Sequence, residues 1–224
     1  MEAWPNTDIT RRRLISTAAS SLAAGLLSQA LPVEWPRWLL AQAAAAGADL
    51  VRDTLHGFVA FIVPGDDRYS RAQGTFVGRR GGIDAGATEP VIAMLDFAVS
   101  DAQGNPVPQS GGLAALLNFA AQRMGPAAAS GTFASPFARL SYDEKVAAFE
   151  YLEANPALES VTALLEVLPG VVGLIAYSEA PVVDRSSGWL RHTPVGWRIS
   201  GFGGPADGRA ELRGFYGGRT QASD

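Results

Sequence analysis

The chain has 224 residues, 47% of them hydrophobic and 18% charged, with a formal net charge of −4 at neutral pH and no cysteine. Such a composition describes a globular chain long enough for one domain with a real core. It excludes disulfides, thiolate metal sites, iron–sulfur clusters and cysteine-attached haem, and its acidity argues against the positive surface that nucleic acid requires.

The chain opens on an address. Thr10-Arg11-Arg12-Arg13-Leu14-Ile15 leads into twenty uncharged residues, Leu14 to Val33. A basic stretch, an apolar stretch and a small-residue cleavage site together define an export leader. The apolar stretch is rich in Ala and Ser, so only mildly apolar. The local string resembles the twin-arginine signal, Ser/Thr-Arg-Arg-any-apolar-apolar, with Arg11 and Arg12 as the pair. That resemblance implies passage through the twin-arginine translocase of a bacterial cytoplasmic membrane, already folded, into the periplasm or cell envelope. Two cleavage positions carry small residues at the right spacing, Ser28-Gln29-Ala30 and Ala41-Gln42-Ala43, with the second favoured. Residues 1–43 are therefore expected to be leader and 44–224 the folded domain. The opposing reading is a retained anchor, since about 20 apolar residues can span a bilayer. Beyond Ala43 stand 14 basic against 19 acidic residues, a net charge near −5.

Trp38 to Val63 reads as helix: Val51, Leu55, Phe58 and Ile62 recur at the spacing of one buried face, and Pro64-Gly65 stops it. Gly65 to Gly86 reads as a long loop. Glu89 to Ala98 is a second helix, with Val91, Met94, Leu95 and Ala98 on one face. Asp101 to Gly112 is turn punctuation, and Leu113 to Met124 is helical again. Ser141 with Glu144 three residues later is a capping box, opening a helix to about Ala154. Pro156 separates it from a helix over Ala157 to Val167. Pro169-Gly170 follows and separates that helix from a very apolar run, Val171 to Ala176, too short to span a membrane and expected as a core helix. From Asp184 the chain becomes an irregular tail rich in glycine and aromatics, with one short strand expected at Trp197 to Ser200. The expected fold is a mostly α, single helical domain with long loops and that irregular C-terminal tail.

Chemistry is sparse. Gly201-Phe202-Gly203-Gly204-Pro205-Ala206 matches a dinucleotide fingerprint on paper, but turn residues follow it where a helix should open. Asp66 and Asp67 are adjacent carboxylates on a loop; their expected use is loop capping and solvation, and their spacing is not an EF-hand's. His56 and His192 are the only histidines. No nucleophile elbow, phosphate-binding loop or His-Glu-x-x-His stands in the chain. No catalytic, cofactor-binding or metal-binding residue is assigned. A hydrolase built on Asp66, Asp67 or His192 is the enzyme alternative, and a membrane-anchored binding module is the other. Trp, Tyr and Arg dominate protein interfaces, so the tail residues Trp189, Trp197, Arg198, Phe202, Phe215 and Tyr216, with Pro64, Asp66 and Asp67 of the loop, are the candidate partner interface. The opposing reading has the aromatics covering the domain's own core.

Several segments, in order, resemble the gluconate 2-dehydrogenase subunit 3 family. They are T-R-R-R-L-I, then F-I-V-P-G-D-D at Phe61 to Asp67, G-G-I-D-A-G-A-T-E-P-V-I-A-M-L-D at Gly81 to Asp96, F-A-R-L-S-Y-D-E at Phe137 to Glu144, and V-G-W-R-I-S-G-F-G-G at Val195 to Gly204, with Gly203 where the family has proline. The resemblance implies a non-catalytic small subunit without a cofactor of its own. Such a subunit binds a large FAD-containing subunit of the glucose–methanol–choline (GMC) type, an alcohol or sugar dehydrogenase or oxidase, stabilises it and supplies its twin-arginine export signal. Membrane contact is then expected only through the signal segment.

Overall fold

A computed structural model describes residues 36–97, 109–125, 128–184, 186–187 and 189–202. Arg11, Arg12, Phe215 and Tyr216, and the run Leu14 to Val33, lie outside the described residues. Among the described residues the chain is mostly helical and has no named strand. The helices are α1 (Arg37–Ala45), α2 (Ala48–Ile62), α3 (Arg68–Ala72), α4 (Thr88–Phe97), α5 (Ser110–Met124), α6 (Pro136–Arg139), α7 (Tyr142–Glu153), α8 (Glu159–Tyr177) and α9 (Val195–Ser200), with a 3₁₀ turn at Pro156–Leu158. None of these helices is long and apolar enough to cross a membrane.

Two helices organise the rest. α2 packs against α3, α4, α5, α6 and α8, and α5 packs against α1, α2, α4, α6 and α7. On α2 the buried Val51, Leu55, Phe58 and Val59 repeat at helical spacing. They share one core with Leu113, Leu116, Leu117 and Ala120 of α5 and with Leu39 of α1. Each fully buried Leu or Phe contributes about 1.5–3 kcal/mol relative to exposure. Where α2 crosses α6, a Cβ on Gly57 would stand 2.9 Å from Ala138 Cα. Only glycine permits that approach.

The ends have local causes. Val63, which precedes Pro64, leaves the helical region (φ −129°, ψ 76°) and ends α2. Ser135 caps α6, with Pro136 in its first turn. The capping box at Ser141 and Glu144 forms as expected: Ser141 Oγ accepts from Glu144 N, and the Glu144 carboxylate accepts from Ser141 N at 2.8 Å. α5 lacks a cap from its own flank; instead the Asp96 carboxylate of α4 accepts from Ser110 N at 2.9 Å.

Five expectations are corrected. The helix expected over Trp38 to Val63 is two helices, because Ala46 and Gly47 are extended (ψ 118° and 154°) and Gly47 restarts the chain as α2. The loop after Gly65 contains α3, nucleated by the Asp67 cap. Ser110 to Gly112, expected as turn, form the first turn of α5. Pro169 does not end a helix; α8 runs through it for 19 residues. Val161, Leu164, Leu165, Leu168, Val171, Val172, Ile175 and Ala176 are all buried in unbroken helical register. Their burial outweighs the roughly 3 kcal/mol that an interior proline costs. In the tail, the short strand expected at Trp197 to Ser200 is instead helix α9, closed by Gly201 in the left-handed region (φ 68°).

Candidate functional site

The segment Gly65 to Gly81 is a loop closed at its base by two glycines. A Cβ on Gly65 would lie 2.2 Å from Gly81 N, and a Cβ on Gly81 would lie 2.6 Å from Gly65 N. Backbone bonds lace the same base: Asp66 N donates to Arg79 O at 2.9 Å and Gly82 N to Val63 O at 2.9 Å. Inside the loop, Asp67 Oδ1 accepts from Tyr69 N and Ser70 N, both at 2.9 Å, and Oδ2 accepts from Ser70 Oγ at 2.7 Å. Ser70 Oγ in turn accepts from Gly65 N at 2.9 Å. The Asp67 carboxylate is thus spent inside the loop, and only 9% of the residue is exposed.

The loop rests on a buried lysine, the only lysine of the chain. Lys145 of α7 is fully buried. Its Nζ donates to Gln73 Oε1 at 2.6 Å and to Gly57 O at 3.2 Å, and lies 5.2 Å from the centre of the Phe137 ring. Gln73 Nε2 then donates to Ala60 O at 2.8 Å and to Thr75 Oγ1 at 2.6 Å. Burial pulls the Lys145 pKa down from the usual lysine value to about 7, against the opposing pull of the Asp67 carboxylate. A desolvated cation is an expensive brace. It joins α2, α7 and the loop through one set of hydrogen bonds.

What the braced loop presents is apolar and basic. Phe76 and Val77 are each nearly half exposed. Arg71 pairs with Asp66 and stacks 4.0 Å over the Phe76 ring. Arg79 and Arg80 are exposed, and neither enters an ion pair among the described residues.

Beside α3 lies a cleft of about 320 Å³ lined by Asp49, Arg52, Asp53, His56, Arg68, Tyr69, Thr132, Phe133 and Ala134. Tyr69 Oη donates to Asp53 Oδ1 at 2.6 Å and accepts from Arg68 at 2.8 Å, while Ser135 N donates to Asp53 Oδ2 at 2.8 Å. Burial, then the Asp53 bond, pushes the Tyr69 hydroxyl up to about 12, so it stays a phenol. Burial lowers the His56 pKa, and its Nδ1 lies 2.8 Å from Thr88 Oγ1. Both Asp53 oxygens and the Tyr69 hydroxyl are occupied by partners within the chain. The cluster works as a brace between α2, α3 and the start of α6. It continues inward through Asn118, whose Oδ1 accepts from Ser135 Oγ at 2.8 Å and Phe137 N at 3.1 Å.

The tail residues are placed unevenly. Trp189 is 68% exposed and Phe202 49% exposed. Trp197 is half-buried; its Nε1 donates to Glu179 Oε1 at 2.9 Å and its ring meets Phe202 edge-on at 4.9 Å. Arg198 is exposed. Among the described residues one antiparallel bridge, Val183 to Leu190, joins the chain ahead of α9. Asp66, Asp67 and His192, the groups of the hydrolase reading, have separate partners: Arg71, the α3 backbone with Ser70, and Thr193 O. At the loop base Pro64 is half-buried and Asp66 exposed. Lys145, Gln73, Phe76, Val77, Arg79 and Arg80, and the cleft residues Asp53 and Tyr69, were not found by sequence reasoning. Asp49, Arg52, Asp53 and His56 do carry a legible signal, a polar stripe at i, i+3, i+4 and i+7. No family model, characterised protein or solved structure matches the chain.

Proposed function

We propose that this chain is the non-catalytic small subunit of an FAD-dependent GMC-type alcohol or sugar dehydrogenase or oxidase. It binds and stabilises that flavoprotein and escorts it through twin-arginine export to the periplasm or cell envelope. FAD belongs to the partner, and this chain contributes shape and address. The observation that carries the reading is the braced Gly65–Gly81 loop. It grows from the F-I-V-P-G-D-D segment that resembles the subunit 3 family, and its interior uses a buried lysine, an amide and a carboxylate to hold one conformation. Ordering a loop in advance removes part of the entropic penalty of binding, and a loop positioned by a rigid scaffold is where function concentrates. Phe76, Val77, Arg79 and Arg80 present an apolar and basic contact surface. Trp189, Arg198 and Phe202 offer a second, with Trp197 holding Phe202 edge-on.

The test is co-expression with a GMC-type flavoprotein that lacks its own leader and is encoded beside this chain. The expected result is a stoichiometric complex on size exclusion at micromolar concentration, with flavin absorbance in the complex peak and none on this chain alone. Separate elution of the two chains would overturn the reading.

A further inference from the structure

The packing of α1 decides what a processed form of this chain can retain. Leu39 of α1 is fully buried in the main core. The Trp38 ring lies 4.4 Å from the ring of Phe119 on α5. Ala43 also packs against the core, and a Cβ on Gly111 would stand 3.6 Å from its own Cβ. The bond after Ala43 is inside α1, two residues before the helix ends at Ala45. Cleavage there would require unwinding a helix docked on α5, and would strip Leu39 from a finished core and Trp38 from its contact with Phe119. A peptidase acting on a chain exported in the folded state meets that helix already formed. The other small-residue position, Ser28-Gln29-Ala30, precedes α1 by six residues in sequence.

We propose that the leader is removed after Ala30 and that α1 stays in the mature protein as the helix closing the outer side of α5. This inference rests on the export reading above, and it replaces the leader boundary at residue 43 that the sequence pattern favours. The mature chain begins at Leu31, keeps Leu39 in the core and keeps the Trp38 ring against Phe119.

Two measurements test it. The full-length chain is expressed in a bacterium with an active twin-arginine translocase, and the exported form is read by N-terminal sequencing and intact mass. A start at Leu31 is expected; a start at Ala44, or an intact Met1, overturns the proposal while leaving export itself standing. Separately, Leu39→Ala is introduced into the full-length chain and thermal unfolding is followed, which does not depend on export. A midpoint lowered by roughly 5–15 °C is expected from deleting a buried leucine in a domain of this size. An unchanged midpoint would show that α1 is not part of the core and would overturn the proposal. Failure to find the chain outside the cytoplasm, with a lowered Leu39→Ala midpoint, would count against the export reading and, with it, against processing after Ala30, while leaving α1 as a core helix.

Discussion

Lys145→Met should abolish a pH dependence of stability that the unaltered chain shows above neutrality. In the folded chain the lysine titrates at about 7, and unfolding returns it to the ordinary value of 10.5. Between those values the unfolded state binds more protons than the folded state, so stability must rise with pH across this window. Below it the lysine is charged in both states, and the desolvation penalty is present in full. Above it the lysine is neutral in both states, and the penalty is gone. Each pH unit inside the window is worth about 1.4 kcal/mol, so about 2–3 kcal/mol should be gained between about pH 7.5 and 9.5. Tyr69 acts in the opposite direction only above its unfolded pKa of 10, because its folded value is raised to about 12. His56, with a lowered folded pKa, acts only below 6.5. The assay is urea unfolding at constant ionic strength across that range. Methionine leaves Gln73 Oε1 and Gly57 O without their donor, which costs about 1–3 kcal/mol and offsets the relieved desolvation. The net change at one pH is therefore not the readout; the slope is. A flat profile in the unaltered chain, or an undiminished slope in Lys145→Met, would refute the buried-cation account.

Other outcomes follow from the loop. Gly65→Ala places a Cβ against the Gly81 backbone and should destabilise by about 2 kcal/mol or more, read by chemical denaturation. Asp67→Ala removes the α3 cap and the Ser70 acceptor and should cost about 1–2 kcal/mol. The double change Arg79→Glu and Arg80→Glu should leave stability within about 0.5 kcal/mol, because both side chains are exposed. The same change should weaken the complex with the flavoprotein at least tenfold in titration; unchanged affinity would move the contact surface elsewhere.

Where local signals were strong, the sequence read true. The Ser141 capping box, the apolar faces of α2 and α4 and the course of α5 follow from periodicity and caps, and the mostly helical character of the described residues follows from them. Pro169 misled because a local breaker was weighed without the buried register that continues from Val161 to Ala176. Trp197 to Ser200 is helix rather than strand because Pro194 opens the turn and Gly201 closes it, whatever the β propensity of Trp and Ile. The loop brace was the least visible part. Lys145 meets Gln73 across 72 residues and Gly57 across 88. A lone lysine in an amphipathic helix carries no mark of burial in the sequence. Asp67 was legible as a loop cap, but its removal from the surface was not. The polar stripe at Asp49, Arg52, Asp53 and His56 is legible in the helical spacing, but its partners Tyr69 and Ser135 lie on other elements and are not.

The central claim is that the address of this chain serves a second protein. Its most direct test is the location of the FAD-bearing subunit when Arg11 and Arg12 are both changed to lysine in cells producing the pair. The account predicts that the flavoprotein and this chain both remain in the cytoplasm, still bound to each other. Arrival of the flavoprotein outside the cytoplasmic membrane in those cells would contradict it.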